Sequence, residues 1–488
     1  MGNAGLTQSA IRMLAGLRAG EYNASQLLEI ALKQVDACNP ALNALIAFDL
    51  DGARVAARTS DARIAAGQMR PLEGLPISIK DSFDVLGMAN TSGAKEFADF
   101  HPTVDAPAVA RLRAAGAVIF AKSNVPKLTS DFQSSNSLFG TTRNPYDLER
   151  SPGGSSGGAA AAVAAGMSAF ELGSDLGGSI RWPAHACGLF GLKPTWDLVP
   201  MQGHLPPTPV QRTAKTAELG VAGPIARSAL DLELVLKVIA GPINARGPEF
   251  MPPARAKSAR DLKIAVWLDE PSAAVDDEVR TSVQMAARML AQAGANVDWK
   301  ARPDFDFEDG YEAFSLYLNA IVASGFPAPL RAKLAQEALK FTANDRSHEA
   351  LQARGAKLSA DSYDMIQTRK RDIQAAWAAF FTQYDAILVP PAPILAMKHN
   401  LVPDMYARRI YGSFGERPYF DMMKWASLAT FAHLPACVAP VSQNAGGLPS
   451  GVQIICGHAQ DRQAIAIAAM LEAINGPLPG PRAALSIP

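Results

Sequence analysis

The sequence has no excess of charge of either sign. Among its 488 residues, 46 lysines and arginines balance 46 aspartates and glutamates. A protein that binds nucleic acid or an anionic membrane surface usually carries a surplus of basic residues, so we expect neither partner. Hydrophobic residues make up 48% of the chain and charged residues 19%, which is typical of a globular protein with a large buried core.

Cysteine is scarce, and long apolar runs are missing. No segment of about 18 consecutive apolar residues is present, and the N-terminus lacks the basic and then apolar pattern of a signal peptide. We therefore expect a cytoplasmic protein without a membrane span. The cysteines form no C-x-x-C pair, which favours reduced thiols over a disulfide or a metal site. They are Cys38, Cys187, Cys437 and Cys456.

Short apolar segments alternate with helical ones along most of the chain. The strand candidates include "LPISIK", "MSAFELG", "LKIAVWL", "DAILVPP", "ACVAPV" and "GVQIIC". This alternation favours an α/β fold in which helices cover both faces of a mixed, twisted sheet. Helical patterns dominate from residue 305 to 381, which indicates a helical insertion or cap. Because strand signals return after it, we expect a single domain over residues 1–488.

The first forty residues predict a pair of helices. Thr7 is the expected cap of the first helix, which ends at Gly20. Asn23 and Gln26 form a capping-box pattern at the start of the second helix. The dipeptide Asn39–Pro40 is expected to stop that helix, because the residue before a proline disfavours the helical conformation.

Two serines stand between glycine pairs in "SPGGSSGGAAAA", residues 151–162. The segment contains G-x-S-x-G, but an esterase nucleophile elbow needs a buried strand directly before the serine. The preceding "TTRNPYDLERSPGG" is polar and has two prolines. A phosphate-binding loop fits no better, because no Lys-Ser or Lys-Thr follows the glycines. A flexible loop without function is the simplest alternative, and the alanine-rich helix that follows argues against it.

A second cluster, "GSDLGGSIRWP", places Ser179 directly after Gly177 and Gly178. Glycines before a nucleophile let consecutive backbone N–H groups point the same way, as an oxyanion hole requires. Upstream, Lys80 ends the apolar strand of "GLPISIKDSFDV". A lysine there usually snorkels to solvent or forms a salt bridge, whereas a buried one has a lowered pKa and can act as a neutral base. Of the seven histidines, His185 is the one close to Ser179, and we expect it to be structural.

Three segments taken together resemble the amidase signature family: "GLPISIKD", "SPGGSSGG" and "GSDLGGSIRWPA". Members of this family hydrolyse carboxamide bonds with a Ser–cis-Ser–Lys triad. Ser155 and Ser179 are 24 residues apart, in agreement with the family's spacing. The resemblance is tight from residue 74 to 227, is loose through the helical insertion and tightens again at "GLPSGVQIICGHAQD". It implies the amidase signature fold.

The resemblance also implies roles for individual residues. Ser179 matches the nucleophile and Lys80 the base, while Ser155 matches the bridging serine that follows a cis peptide bond, here Gly154–Ser155. In such a relay, neutral Lys80 accepts a proton from Ser155 while Ser155 accepts one from Ser179. The remaining matched positions are the oxyanion-hole donors Leu176, Gly177, Gly178 and Ser179, the supporting residues Ser156 and Arg181, and the pocket-wall residues Ser130 and Asp131.

After "GLKPT" the chain departs from the family pattern. Residues 196–220 form a longer, proline-rich loop that contains Trp196, Met201 and His204. Two interpretations stay open: the loop borders the substrate pocket, or it is a surface loop without function. Aromatic residues also cluster in "YEAFSLYL" and "YGSFGERPYFDMMKW". They either pack in the core or line a pocket for bulky apolar or aryl groups.

These patterns predict an amidase that forms a seryl acyl-enzyme. Its expected substrates are small-molecule amides with bulky apolar or aryl groups, and esters or carbamates as well. Two alternatives stay open: the glutaminase (A) subunit of a tRNA-dependent amidotransferase, which needs partner subunits, and a non-catalytic binding protein on the same scaffold. The sequence contains no metal-ligand cluster or nucleotide motif, so it implies no cofactor and no metal. Association as a homodimer is left open.

Overall fold

The computed structural model describes residues 6–205, 218–242 and 250–481. The strands in this part of the chain are β1 (Leu45–Phe48), β2 (Pro76–Lys80), β3 (Val118–Ser123), β4 (Ser135–Asn136), β5 (Gly140–Thr141), β6 (Phe170–Asp175), β7 (Phe190–Lys193), β8 (Val221–Ala226), β9 (Lys263–Val266), β10 (Asn296–Asp298), β11 (Ala386–Val389), β12 (Arg409–Gly412), β13 (Gly415–Pro418), β14 (Ala436–Gln443) and β15 (Pro449–Ile455). The α-helices are α1 (Ala10–Ala19), α2 (Ala24–Leu42), α3 (Leu50–Ala65), α4 (Pro107–Ala114), α5 (Gly157–Ala164), α6 (Arg181–Ala186), α7 (Ala229–Ile239), α8 (Asp277–Gln292), α9 (Phe307–Ser324), α10 (Ala328–Glu337), α11 (His348–Gly355), α12 (Ala360–Phe380), α13 (Lys424–Phe431) and α14 (Asp461–Asn475).

Eleven of these strands form one mixed sheet, in the order β1-β3-β2-β6-β8-β7-β14-β15-β11-β9-β10. Strands β3, β2 and β6 run parallel near one edge, and β11, β9 and β10 run parallel at the other. The strands between these two groups pair antiparallel. Parallel neighbours need crossover connections, which helices supply. The prediction of one α/β domain on a mixed sheet is confirmed.

Both faces of the sheet are covered by apolar packing. Alternate residues of a strand point to opposite faces, and in β11 Ala386 and Leu388 belong to one buried cluster while Ile387 and Val389 belong to another. The first cluster takes in residues of α2, α7, α8 and α14, and the second takes in residues of α9, α12 and α13. The segment from residue 305 to 381, all of it described, contains α9 to α12 and no strand. Of these helices, α9 and α12 contribute residues to the second cluster, whereas α11 packs on α9.

The first helix begins later than expected. Its N-cap is Ser9, whose side chain accepts the N–H of Arg12 at 3.2 Å, so the expectation of Thr7 as cap was wrong. An N-cap bonds the N–H two or three residues ahead, and Thr7 stands too far from the first turn to do so. The helix ends as predicted at Gly20, which adopts the left-handed conformation.

The second helix begins as expected and ends later. The capping box of Asn23 and Gln26 is present, but the helix continues through Pro40 to Leu42. A proline removes one backbone N–H donor from a helix. Here the preceding residue, Asn39, accepts three backbone hydrogen bonds that hold the chain after the proline. The carbonyl of Asn39 accepts the N–H of residue 43 at 2.7 Å, and its side-chain oxygen accepts the next two N–H groups at 2.9 Å. These bonds hold the last turn beyond the proline.

Candidate active site

The end of β2, the segment leading into α5 and the end of β6 meet at one buried point. Lys80, the last residue of β2, is fully buried, and Ser155 is 1% exposed. The Nζ atom of Lys80 lies 2.8 Å from Ser155 Oγ. It also lies 2.9 Å from Ser174 Oγ and 3.4 Å from the Ser174 carbonyl oxygen. The structure thus brings into contact a lysine and a serine that were predicted from separate motifs.

The surroundings of Lys80 favour the neutral amine. Burial lowers the pKa of Lys80 to about 7, although the negative charges of Asp175 and Glu171 act in the opposite direction. Burial also raises the pKa of Glu171 to about 7, against the hydrogen bonds donated by Ser123 and Ser78. Removing water penalises the charged form of either group. Burial therefore shifts the equilibrium of Lys80 toward the neutral amine.

Ser155 is held in place because the backbone at Gly154 packs closely on the backbone of residues 131–133. The Gly154–Ser155 peptide bond is cis, as the resemblance implied. A Cβ atom at Gly154 would lie 2.6 Å from the carbonyl oxygen of Asp131 and 2.6 Å from the nitrogen of Gln133, so glycine is needed at this close approach. The hydroxyl of Ser134 donates to the Ser155 carbonyl at 3.2 Å. The segment 131–134 thus fixes the position of Ser155.

Ser179 lies in the turn between β6 and α6 and is half-buried. Gly178, just before it, has a φ angle of 110°, a conformation that favours glycine. The N–H of Ser156 donates to the Ser179 carbonyl at 3.2 Å, and the Ser156 hydroxyl donates to the Ser174 carbonyl at 3.3 Å. Ser156 therefore joins the segment that carries Ser155 to the turn that carries Ser179.

A buried ion pair fixes this turn. Asp175 Oδ1 lies 2.8 Å from Arg181 Nη2, and Asp175 Oδ2 lies 3.0 Å from Arg181 Nε. The same carboxylate accepts the N–H groups of Gly178 and Ile180, each at 3.0 Å. Burial alone would raise the pKa of Asp175, but the charge of Arg181 and these hydrogen bonds hold it well below its ordinary value. Arg181 thus supports the turn through a charged Asp175.

The four backbone N–H groups expected to line an oxyanion hole are not equivalent. The N–H of Gly178 donates to Asp175 and is not available. Those of Leu176, Gly177 and Ser179 have no acceptor within the described residues. A Cβ at Gly177 would lie 3.0 Å from Met423 Sδ, so this side of the turn packs close to the segment before α13. Three donors remain, and the expectation for Gly178 is corrected.

The two expected pocket-wall residues lie in different environments. Ser130 is exposed, and its hydroxyl donates to the carbonyl of Leu128 at 3.0 Å, so the structure does not bring it into contact with the serines or the lysine. Asp131 packs its backbone on Gly154, but its carboxylate accepts from Arg408 at 2.6 Å and from Tyr419 at 2.5 Å. Its side chain is thus engaged in an internal network.

His185, the histidine near Ser179 in sequence, is held by the backbone at both ring nitrogens. Its Nδ1 accepts the N–H of Gly451 at 3.0 Å, and its Nε2 lies 3.2 Å from the carbonyl oxygen of Ile394. Burial lowers its pKa to about 4. These contacts agree with the structural role expected for it.

Sequence reasoning assigned no role to Ser174 and named His204 only as part of the long loop. Ser174 contacts the lysine directly, and His204 Nε2 lies 2.8 Å from Ser174 Oγ. Ser174 stands five residues before Ser179 in the same motif, at the end of a strand, and this position was an available signal. His204 reaches the site from the long loop, of which residues 206–217 lie outside the described part of the chain. Its contact supports the interpretation that this loop borders the site.

Comparisons with known proteins identify relatives of the whole chain. Residues 26–465 match the family model described as Amidase. The A subunit of the glutamyl-tRNA(Gln) amidotransferase of Roseiflexus castenholzii is 35% identical over 92% of each chain. Fatty-acid amide hydrolase 2-B of Danio rerio is 29% identical over 96% of this chain and 90% of its own. A solved bacterial aryl acylamidase shares the fold, with a TM-score of 0.80 at 22% identity over 99% of each chain.

The chain therefore belongs to the amidase signature family. It is an amidase, a hydrolase that acts on carbon–nitrogen bonds other than peptide bonds. No helix in the described ranges combines the length and the apolar character that crossing a bilayer requires.

Proposed function

We propose that Ser179 attacks the carbonyl carbon of an amide and forms an acyl-enzyme, with Ser155 and Lys80 as the proton relay. The observation that carries the proposal is the 2.8 Å contact between Lys80 Nζ and Ser155 Oγ in a fully buried setting. Neutral Lys80 takes the proton of Ser155, and Ser155 takes the proton of Ser179. The relay then runs backward to protonate the departing nitrogen, and water hydrolyses the acyl-enzyme.

Backbone donors at the turn supply the oxyanion hole. The N–H groups of Leu176, Gly177 and Ser179 are the donors we assign, because each lacks an acceptor in the described chain. One such donor contributes about 2.7–4 kcal/mol to transition-state stabilisation in other hydrolases. The ion pair of Asp175 with Arg181 supports this function, since it holds the turn in one conformation before substrate arrives.

The side chains near the turn favour a bulky apolar or aryl substrate. Leu176, Phe420 and Met423 are partly buried and pack against the apolar cluster that contains Trp425. Ligand pockets lined by apolar side chains bind apolar groups. Esters and carbamates with good leaving groups form the same acyl-enzyme, and we include them in the expected range.

A glutaminase function is the second candidate. It is favoured by the 35% identity with the A subunit of an amidotransferase over 92% of each chain. In that role the protein would release ammonia from glutamine and pass it to partner subunits. Glutamine carries two charged groups, so this candidate predicts polar recognition near Ser179, where the nearby half-buried residues Leu176 and Met423 are apolar.

The deciding experiment is a hydrolysis panel with the purified full chain. The substrates are an anilide, an aliphatic amide, glutamine, a dipeptide amide and a phenyl carbamate. We expect the anilide to give the highest kcat/KM, with an initial burst of aniline that reports acyl-enzyme accumulation. A clear preference for glutamine would instead favour the glutaminase.

Substitutions assign the nucleophile within this panel. Ser179→Ala should abolish both turnover and labelling by a fluorophosphonate, and Ser155→Ala should lose several decades of rate. Ser137→Ala, at an exposed serine outside the site, is the matched control and should behave like the parent. Labelling that persists in Ser179→Ala would refute the assignment. A parent protein that neither turns over any substrate nor takes the label would indicate a non-catalytic scaffold.

A cytoplasmic location and association as a homodimer stay predictions of the sequence. The four cysteines are free thiols, which is in keeping with a reducing compartment. Light scattering on the purified chain measures the molar mass and so tests association as a homodimer.

A further inference from the structure

Lys80 has one more side-chain neighbour than the proposed relay uses. Its Nζ atom lies 2.9 Å from Ser174 Oγ as well as 2.8 Å from Ser155 Oγ. Ser174 Oγ in turn lies 2.8 Å from His204 Nε2. A continuous hydrogen-bonded chain therefore runs from Ser155 through Lys80 and Ser174 to the imidazole of His204.

The fold anchors His204 to the segment that directly follows Lys80. The N–H of Asp84 donates to the Gly203 carbonyl at 2.8 Å, and the N–H of Leu205 donates to the Ser82 carbonyl at 2.6 Å. The ring of Phe83 packs edge-on against the imidazole, with centroids 4.9 Å apart. The residues on both sides of His204 are thus tied to the turn after β2, which fixes the distance between the imidazole and the lysine.

The imidazole is neutral in this position. Burial and the positive charge of Lys80 lower the pKa of His204 to about 3. The charged groups around the chain are Lys80 itself, Asp175 and Glu171 on β6, and Asp84 beside Gly203. A neutral imidazole has one N–H and one acceptor nitrogen. With the proton on Nδ1, the Nε2 atom facing Ser174 is an acceptor.

We propose that His204 is a positioning residue for the relay: its Nε2 accepts a hydrogen bond from the Ser174 hydroxyl, which leaves the lone pairs of Ser174 Oγ to accept a hydrogen bond from Lys80. A neutral amine has two N–H donors and one lone pair. The Oγ and carbonyl oxygen of Ser174 take the two donors, and the lone pair is left directed at Ser155. Without His204, the Ser174 hydroxyl rotates and donates to that lone pair, in competition with Ser155. This inference rests on the proposed relay.

The test compares His204→Phe with His204→Gln in the full chain. Phenylalanine keeps an aromatic ring against Phe83 and removes the acceptor, whereas the amide oxygen of glutamine can take the place of Nε2. We expect His204→Phe to lower kcat on the anilide by about 10- to 100-fold, the scale of a misdirected catalytic group. KM should stay near the parent value, because His204 is not assigned to contact substrate. His204→Gln should recover most of the loss.

The pH profile separates positioning from a merely structural role. In His204→Phe, a hydroxyl that donates to the amine stabilises neutral Lys80, so the acid limb of kcat/KM should move to lower pH by up to about one unit. Met201→Leu, a substitution of similar volume in the same loop, should leave both the plateau and the limb unchanged. A loss of rate in His204→Phe without movement of the limb, or with no recovery in His204→Gln, overturns the proposal.

A replacement variant and a Ser174→Ala background keep the proposal testable if His204→Phe fails to fold. If His204→Phe does not fold, His204→Asn takes its place, because its amide is too short to reach Ser174. In a Ser174→Ala background, His204→Phe and His204→Gln should have equal rates, since the histidine acts through that hydroxyl. Unequal rates there contradict the proposal. Parent-like kinetics in His204→Phe refute this inference alone, whereas parent-like kinetics in Lys80→Met refute the relay on which it rests.

Discussion

Lys80 and Lys122 stand on neighbouring parallel strands, and both are completely buried. In the register of β2 and β3, Ile79 lies opposite Lys122, so the two lysine side chains point to opposite faces of the sheet. On its face, Lys80 meets the hydroxyls of Ser155 and Ser174. The two residues are therefore equal in burial and both lie near the end of a strand, and they differ in what surrounds them.

Lys122 has the partners of a structural cation. Its Nζ atom lies 3.1 Å from Asp81 Oδ1 and donates to the carbonyls of Phe83 at 2.8 Å and Ala89 at 3.2 Å. The hydroxyl and the N–H of Thr91 satisfy the same carboxylate. A buried charge is tolerated where an opposite charge and hydrogen bonds compensate its lost hydration. Burial alone thus does not separate the two lysines; the carboxylate paired with Lys122 and the hydroxyls around Lys80 do.

The largest expected effect comes from replacing the lysine that has hydroxyl partners. Lys80→Met should lower kcat/KM on the anilide by at least about 10²–10⁴-fold, the contribution of a general base. The variant should stay folded, because the substitution leaves no unpaired charge behind. Steady-state kinetics and urea unfolding measure the two quantities. A folded Lys80→Met protein with parent kinetics would remove the distinction drawn between the two lysines.

The sequence predicted Lys80 as base by resemblance, but its local pattern does not separate it from Lys122. Lys80 is the last residue of the apolar strand "PISIK", and Lys122 is the next to last of "VIFAKS". What distinguishes them is which segment packs on each face of the sheet, and that depends on the strand order. Periodicity predicted the strands and helices, since it reflects burial along one element. It carries no information on which distant hydroxyl or carboxylate meets the side chain.

Because a local pattern carries no information on contacts between distant segments, the sequence also did not predict the contacts of His204 and Gly178. His204 enters from a loop whose path depends on backbone bonds to residues 82 and 84, and no local pattern encodes that pairing. Gly178 matches the family motif, yet its N–H turns to Asp175. Ser155 and Ser179 each belong to one continuous motif, and the N–H of Ser156 joins their two segments through the Ser179 carbonyl; their roles stay predictions. Contacts between motifs needed the folded chain.

A second effect is expected at the paired lysine, in stability rather than rate. Lys122→Met leaves the Asp81 carboxylate buried without its cation, and breaking a buried pair in this way costs about 3–5 kcal/mol. Urea unfolding should show this loss in the free energy of unfolding, while kcat per folded molecule stays near the parent value. The double variant Asp81→Asn/Lys122→Met should regain part of the stability, because no buried charge remains. Equal stability of parent and Lys122→Met would show that the pair is not a structural one.

The last effect is the pH dependence of stability that Lys80 contributes, which is small per pH unit. The pKa of Lys80 is about 7 in the folded chain because of burial, against about 10.4 for an unperturbed lysine. Between these values the unfolded chain binds a proton that the folded chain does not, so the parent gains stability as pH rises, by up to about 1.4 kcal/mol per unit. Lys80→Met lacks this contribution. The free energy of unfolding of the parent should therefore rise relative to that of Lys80→Met from pH 7 to 10.

The difference between the two proteins is the informative quantity in this experiment. Lys193 is also buried, which lowers its pKa to about 7, and it would add a similar slope to any single curve. It is present in both proteins, so its contribution cancels. Below pH 7 both states of the parent bind the proton at Lys80, and the difference should become flat. A flat difference from pH 7 to 10 would mean that Lys80 keeps its proton in the folded chain, and the amine would then be charged like a salt-bridged lysine and unable to accept the proton of Ser155.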